Sequence, residues 1–510
     1  MAETGRRRLL ALGLGCLAAA GQAPLSLPFL TMIALGGGFW LLQQGAAPRP
    51  FWLGWLFGVG YFAASLFWIV EPFLVEPERH GWMAPFALVL IAGGFAVFWA
   101  LAFSLAARVA GRMCAWRGVL AFASAMAAVE LLRTYLLTGF PWALVGHVWV
   151  GWAPMHLAAW IGPVGLSFVT LLLSAGAAHA LVQRAWPNLG ALAVLGIALF
   201  ATGAWQASRP TPDAAGAPVV RLVQPNAEQH LKWDPDHALS FFERMLAFSA
   251  APGEGGGPRP DLIVWPENAV VQVLNRAETW LDHIAAAASG VPVIFGIQRL
   301  DDADRARNAL VVMGPGGTVD ATYDKHHLVP FGEYLPLAAY FDLVGQKLLG
   351  QGMGLGYVPG PGAQVLELPG RLGRALPLIC YEGIFPHNIA AAPARPDFMV
   401  LITNDAWFGE LAGPYQHLAQ ARLRAVEFGL PMVRVANTGV SAVIDARGRV
   451  MAEIPLGQAG WRDVPLPRPL SATFYSRTGD WPMGFLLAAL LAGLGLIGRR
   501  RPIDASAPSL

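Results

Sequence analysis

The chain has 510 residues, 55% of them hydrophobic and only 13% charged, and its mean hydropathy is +0.48. A soluble globular protein carries about 25% charged residues, so a chain this poor in charge places much of its length in lipid. A formal net charge of +2 gives no electrostatic case for nucleic acid as a partner.

Apolar runs fill residues 9 to about 206 and divide into seven helical candidates, at 9–22, 27–44, 51–70, 83–107, 117–136, 161–182 and 189–206. Most approach the ~20 residues that cross a bilayer core; the first is short and poorly separated from the second. Arginine orients them, because positive residues collect in the loops that stay in the cytoplasm. Arg6, Arg7 and Arg8 precede the first run, Arg49 follows the second, Arg108 and Arg112 the fourth, and Arg184 the sixth. The loop after the third carries Glu71, Glu76 and Glu78 against Arg79. Both termini are therefore expected in the cytoplasm, with the polar part of the chain outside. An arginine-rich and then apolar N-terminus also fits a cleavable signal peptide; the helices that follow at once favour a first crossing. Glu130 and Arg133, spaced i, i+3 near one membrane edge, read as a structural pair rather than as chemistry.

From about 217 to 470 the composition turns ordinary, with Asp, Glu, Arg, Asn and Pro-Gly turns. Short runs at Val219–Val223, Leu262–Trp265, Val291–Ile297, Ala309–Met313, Leu376–Ile379, Phe398–Thr403 and Met432–Ile444 predict strands. Continuous apolar strands are covered on at least one face by helices, which makes this a layered α/β domain. A Gly-rich stretch, Gly345–Gly362, follows Leu335–Phe341 and is expected to be a mobile lid whose apolar side chains dip into the lipid interface. A last apolar run, Met483–Gly498, closes on Arg499, Arg500 and Arg501 and predicts an eighth crossing. The expected organisation is an N-terminal transmembrane domain of seven helices over 1–210, the α/β domain over 217–470, a C-terminal transmembrane helix over 481–501 and a cytoplasmic tail over 502–510.

Three sites in the polar domain share one design, an apolar run that leads to a reactive side chain. Leu262–Trp265 leads through Pro266 to Glu267; Arg374–Ile379 leads to Cys380, flanked by Tyr381 and Glu382; between them Tyr323-Asp324-Lys325 precedes a second carboxylate, Glu333. Cys380 is one of three cysteines, and the others, Cys16 and Cys114, lie in or beside distant apolar helices, so it has no obvious disulfide partner. Lys325 is one of three lysines among 35 basic residues, with Lys232 and Lys347; where arginine serves most needs, a lysine marks a place for a compact ammonium. A carboxylate can take the thiol proton, while an ammonium favours the thiolate and faces the oxyanion of a tetrahedral intermediate. Each residue also has a plainer reading: Cys380 as a small core hydrophobe, Glu267 as a helix-start carboxylate after Pro266, Lys325 as a solvated turn residue.

Taken in order, Trp265-Pro266-Glu267-Asn268, Tyr323-Asp324-Lys325, His327 to Tyr334, Ile379-Cys380-Tyr381-Glu382 and Asn404-Asp405-Ala406-Trp407-Phe408 resemble the nitrilase, or carbon–nitrogen hydrolase, superfamily. The membrane frame, Leu137-Thr138-Gly139-Phe140-Pro141-Trp142 and Gly413-Pro414-Tyr415-Gln416-His417 are similar to its apolipoprotein N-acyltransferase branch. The resemblance implies a membrane α-helical bundle of eight transmembrane helices joined to an αββα sandwich. It implies a Glu267–Lys325–Cys380 triad, with Glu333, Tyr381 and Glu382 in support. Trp233, Trp407 and Phe408 are then expected on the substrate. The implied activity is transfer of an acyl chain from a phospholipid, through a Cys380 thioester, to the amine of the diacylglyceryl-cysteine of apolipoproteins. The implied place is the bacterial inner membrane, with the catalytic domain in the periplasm. No cofactor is expected, and no metal, since adjacent His326 and His327 lack ligand spacing. Two other readings stand beside this one: a membrane-tethered amidase or nitrile hydrolase that passes its thioester to water, and a transporter or sensor whose outer domain has lost catalysis. The shortage of charged residues within the helices argues against the last.

Overall fold

A computed structural model describes residues 2–44, 50–110, 116–212, 216–336 and 356–499. The chain forms two compact units: the described residues up to Arg209 with those from Arg477 onward, and Pro210–Ser476 between them.

The first unit is helical. Its main helices are α1 (Ala2–Ala18), α2 (Pro28–Gln43), α3 (Pro50–Ser65), α4 (Ala84–Ala110), α5 (Trp116–Tyr135), α6 (Ala158–Val182) and α7 (Trp186–Ser208), with a closing helix at Trp481–Arg499. Four described spans are long and apolar enough to cross a membrane: Pro77–Ala110, Trp116–Tyr135, Ala153–Val182 and Trp186–Ser208. Pro50–Ser65 and Phe67–Leu74 make a fifth if this pair, bent by 68°, is one span. The expected eight is met only in part, because Pro28–Gln43 and Trp481–Ile497 are apolar but short of ~20 residues, and Arg6–Arg8 lie within α1. Small residues let these helices touch. A Cβ on Gly15 would lie 2.0 Å from the Phe57 carbonyl oxygen, and one on Gly60 2.2 Å from that of Leu12, so α1 and α3 meet backbone to backbone.

Glu130 and Arg133 are buried on α5 and serve the loop that follows their own helix. Arg133 donates to the carbonyls of Phe140 (2.6 Å) and Trp142 (2.8 Å), with its guanidinium over the rings of Phe62 and Phe95 at 5.1 and 5.6 Å. Glu130 accepts from the Val145 amide at 2.9 Å. The Leu137–Trp142 segment is thus held by its carbonyls and by an amide just beyond it.

The second unit is a pair of stacked sheets. In chain order the strands are β1 (Val219–Gln224), β2 (Leu262–Val264), β3 (Val270–Val273), β4 (Val293–Leu300), β5 (Ala306–Met313), β6 (Val319–Asp324), β7 (Leu366–Leu368), β8 (Gly373–Ile379), β9 (Phe398–Thr403), β10 (Met432–Ala436), β11 (Ser441–Ile444), β12 (Val450–Ile454) and β13 (Gly460–Pro465). One sheet runs β13-β1-β2-β4-β5-β6 with β3 beside β4, and the other runs β12-β11-β10-β9-β8-β7. Side chains alternate along each strand, so both faces of both sheets are apolar. Val220, Leu222, Leu262 and Val264 meet Ile379, Val400, Ile402 and Val433 between the sheets. The outer face of the first sheet takes α8 (Pro235–Ala250) and α9 (Glu278–Ala288) through Phe242, Met245 and Ile284. The outer face of the second takes α10 (Gly413–Phe428) through Ala421, Ala425 and Phe428. The order helix, sheet, sheet, helix is the expected sandwich.

The single run expected over Met432–Ile444 is two antiparallel strands, broken at Asn437-Thr438-Gly439. Strands β3, β6, β7, β12 and β13 were not among the expected ones; several are edge strands with polar or exposed residues, whose apolar signal is weak. Of the expected lid, residues 345–355 lie outside the described residues, as do 337–341 of the segment before it. The rest of that stretch straps across two site residues, with the Tyr357 amide on the Glu333 carbonyl and the Gly360 amide on the Lys325 carbonyl, each at 2.8 Å.

Candidate active site

Strands β2, β6 and β8 each run into one of the three singled-out residues, and the chain leaves each strand differently. After β2, Trp265 is buried and its indole donates to Ser249 at 2.9 Å, fixing the start of the turn that carries Pro266 and Glu267. That turn lies flat on β4 because residue 296 is glycine: a Cβ there would come within 2.6 Å of the Glu267 Cα and 2.5 Å of the Asn268 nitrogen. The Gly296 amide and carbonyl bond Pro266 and Ala269 instead. After β6, the Lys325 amide continues the ladder to the Asn308 carbonyl at 2.9 Å. After β8, Cys380 takes a left-handed conformation, φ 50°, which turns the chain sharply into the 3₁₀ segment Cys380–Ile384. Non-glycine residues adopt that conformation only when their surroundings hold them there.

The carboxylate of Glu267 is 5% exposed and has three donors. Oε1 accepts from Asn308 Nδ2 at 2.8 Å and faces Lys325 Nζ at 3.5 Å, while Oε2 accepts from the Asn404 amide at 2.9 Å. The ammonium of Lys325, 1% exposed, donates to Glu333 Oε1 at 2.9 Å. Glu333 also accepts from Asn308 Nδ2 (3.0 Å) and the Val329 amide (2.7 Å), which ties the loop after Lys325 back to the site. Burial disfavours the charged lysine, but the carboxylates of Glu333 and Glu267 outweigh it and push its pKa up, so Lys325 is a permanent cation. The thiol of Cys380 is pushed up as well, first by burial and then by the Glu267 carboxylate, with Lys325 pulling the other way. At neutral pH the sulfur therefore rests as a thiol, and any reaction through it would need a base.

Glu382 is fully buried and fastens the turn after β8 to the loop after β6. It accepts from the amides of Ile379 (2.8 Å), His326 (2.8 Å) and His327 (3.2 Å), from the Tyr323 hydroxyl (2.9 Å) and from the His326 ring (2.8 Å). Burial pushes its carboxyl up, but His326 and these donors prevail and leave it below its ordinary value. The His326 imidazole moves up in return, Glu382 outweighing its burial. Tyr381 is buried edge-on against the rings of His327 (5.5 Å) and Phe385 (4.8 Å). Trp233 and Trp407 are exposed, 45% and 38%, whereas Phe408 packs edge-on against the His417 ring and on the core between the sheets.

Sequence reasoning missed Asn308, whose amide bridges both carboxylates, and gave no role to Lys232, whose buried ammonium donates to the Glu267 main-chain oxygen at 3.1 Å. Burial pulls Lys232 down to about 8 against the opposing charge of Glu267. The polar Arg307-Asn308 pair interrupting an otherwise apolar strand was the available signal for the first, and the scarcity of lysine for the second.

A carboxylate, a lysine and a thiol gathered at the ends of stacked strands is the plan of the carbon–nitrogen hydrolases, and residues 220–470 match the family model of that description. Residues 14–176 match the model described as the apolipoprotein N-acyltransferase N-terminal domain. Curated relatives carry both parts together. An apolipoprotein N-acyltransferase of Caulobacter vibrioides is 38% identical over 505 residues, 95% of this chain and 93% of its own. Another, of Bradyrhizobium diazoefficiens, is 38% identical over 98% of this chain and 96% of its own, and one of Allorhizobium ampelinum is 36% identical over 97% of each. The chain belongs to the apolipoprotein N-acyltransferase family, and it is an acyltransferase.

Proposed function

We propose that the protein transfers an acyl chain from a phospholipid to the N-terminal amine of the diacylglyceryl-cysteine of apolipoproteins, through a thioester on Cys380. The observation that carries this reading is the sharing of one buried space by Glu267, Lys325 and Cys380, in a chain whose relatives bear that enzyme's name. In the first half-reaction Glu267 takes the thiol proton as sulfur attacks the ester carbonyl. Lys325 and the Tyr381 amide face the oxyanion. Collapse breaks the bond to the glycerol oxygen, Glu267 returns the proton to it, and a lysophospholipid leaves. In the second, the amine attacks the thioester and gives its proton to Glu267. The carbon–sulfur bond breaks, the thiolate takes that proton back, and the amide leaves. Glu333 and Glu382 position Lys325 and the Cys380 turn; Tyr381 lines the site; Trp233, Trp407 and Phe408 contact acyl chains. The reaction calls for no metal or cofactor.

The same reading places the chain in a bacterial inner membrane with eight crossings, the three shorter helices included, and with residues 217–470 in the periplasm. Both termini, and the tail over 502–510, lie in the cytoplasm. The arginine pattern supports this orientation. Thiol labelling of single cysteines from each side of intact inner-membrane vesicles tests it; a periplasmic label at residue 505 overturns it.

Intact-mass measurement after incubation with phospholipid tests the chemistry. An acyl adduct on Cys380 that a lipopeptide amine discharges is expected. An adduct discharged only by water makes the protein a hydrolase, and a Cys380→Ser variant with normal transfer sinks the thioester.

A further inference from the structure

The end of β9 holds a hydroxyl that this scheme leaves idle. Strands β8 and β9 are parallel, with Ile379 paired to Ile402; Thr403 directly follows Ile402, and its hydroxyl lies within hydrogen-bonding reach of the Cys380 sulfur at the turn after β8. Thr403 is completely buried, and its Oγ1 lies 2.8 Å from Asp405 Oδ1. Asp405 has other partners: Arg434 at 2.5 Å on Oδ2 and the His417 ring at 3.0 Å on Oδ1, all of them within 1% of full burial. The His417 ring lies against the Cys380 main chain, and the Asn404 amide donates to Glu267. Three consecutive residues, Thr403-Asn404-Asp405, thus touch the nucleophile, the base and the frame behind them.

A threonine hydroxyl has one proton to donate. Beside a neutral thiol it serves Asp405. Once Glu267 has taken the thiol proton, the sulfur becomes the stronger claim, and Thr403 lies within hydrogen-bonding reach of it. Asp405 can release the hydroxyl because Arg434 and His417 keep its charge paired.

We propose that Thr403 is a further catalytic residue, whose hydroxyl turns from Asp405 to the Cys380 sulfur as the thiolate forms and steadies it in both half-reactions. No covalent bond changes at Thr403: the sulfur's proton goes to Glu267, and the threonine O–H bond stays intact throughout. The contact also shields the thiolate from the Asp405 carboxylate, which otherwise repels it. The inference rests on Cys380 being the nucleophile.

The test uses the full chain in detergent and follows alkylation of Cys380 by iodoacetamide against pH, with the adduct located by peptide mass because Cys16 and Cys114 also react. Thr403→Val keeps the shape and removes the hydroxyl. Its alkylation profile is expected to move up by about one pH unit, with roughly tenfold slower reaction at neutral pH, and kcat for transfer is expected to fall with KM unchanged. Thr403→Ser is expected to restore both. A Thr403→Val protein with the wild-type profile and wild-type transfer overturns the proposal. So does failure of both Thr403→Val and Thr403→Ala to fold while Thr403→Ser folds, which assigns the hydroxyl to the fold. A Cys380→Ala variant that still transfers acyl chains defeats the nucleophile itself, whereas an inactive one beside an unaltered Thr403→Val defeats only Thr403.

Discussion

The two units each bury a carboxylate with a cation, and on the proposed reading the two pairs do opposite work. In the helical unit, Glu130 accepts from a main-chain amide and Arg133 donates to main-chain carbonyls, and aromatic rings cover the guanidinium. The main-chain groups bonded there have a fixed protonation state. In the sandwich, Glu267 and Lys325 share side-chain partners, and a thiol within range of both charges can give up a proton. The cation type follows the same division. Arginine's fork suits several carbonyls at once, while lysine's single ammonium leaves a face open to a developing oxyanion. A buried pair becomes chemistry when one of its neighbours can change charge.

Substitutions in the two pairs should separate their roles, with the largest effect at the thiol. Cys380→Ala should abolish acyl transfer and leave no adduct at residue 380 in an intact-mass experiment, with the protein still folded; transfer at a normal rate would remove the sandwich pair from the chemistry. Lys325→Arg keeps the charge yet should cost roughly 10²–10³ in kcat, the usual loss for a misplaced oxyanion donor. The counterpart is Arg133→Lys, which should leave kcat of the folded protein unchanged while lowering the thermal midpoint in detergent. Arg133→Ala leaves Glu130 buried without its cation and should cost about 3–5 kcal/mol in stability. If Arg133→Lys instead lowers kcat as steeply as Lys325→Arg, the two pairs are not different in kind.

The smallest effect concerns pH and the Glu382 clasp. His326 gains stability from Glu382 that is fully present below its unfolded value and fades as pH rises through its raised folded value. Glu382 contributes above its own ordinary value and loses that contribution as pH falls through its depressed one. The turn at Cys380 should therefore be held most firmly between those two points. Thermal unfolding followed against pH should show the wild type losing stability on the alkaline side of that window, and His326→Gln should flatten that limb.

How much could be read from the chain differs between the units for a physical reason. Glu267 and Cys380 announce themselves because an apolar run ending in a polar residue is a local pattern. Asn308 and Thr403 do not, because their roles depend on strand register: β5 must pair with β6, and β8 with β9, before either side chain meets its partner. Gly296 was equally silent, since nothing near it in sequence reveals that another turn lies on it. In the helical unit the apolar runs located the helices closely. Length, however, depends on where each helix starts and bends, and the break after Ser65 and the short α2 do not appear in hydropathy.

The resting state of Cys380 has one more consequence. Oxidation by peroxide and disulfide exchange both begin with attack by a thiolate, and they occur at exposed sites. A sulfur kept protonated, 6% exposed and packed on the core between the sheets offers neither. On the proposed reading, the burial that makes Cys380 depend on Glu267 also makes it durable: between turnovers its thiol is poorly accessible to oxidants.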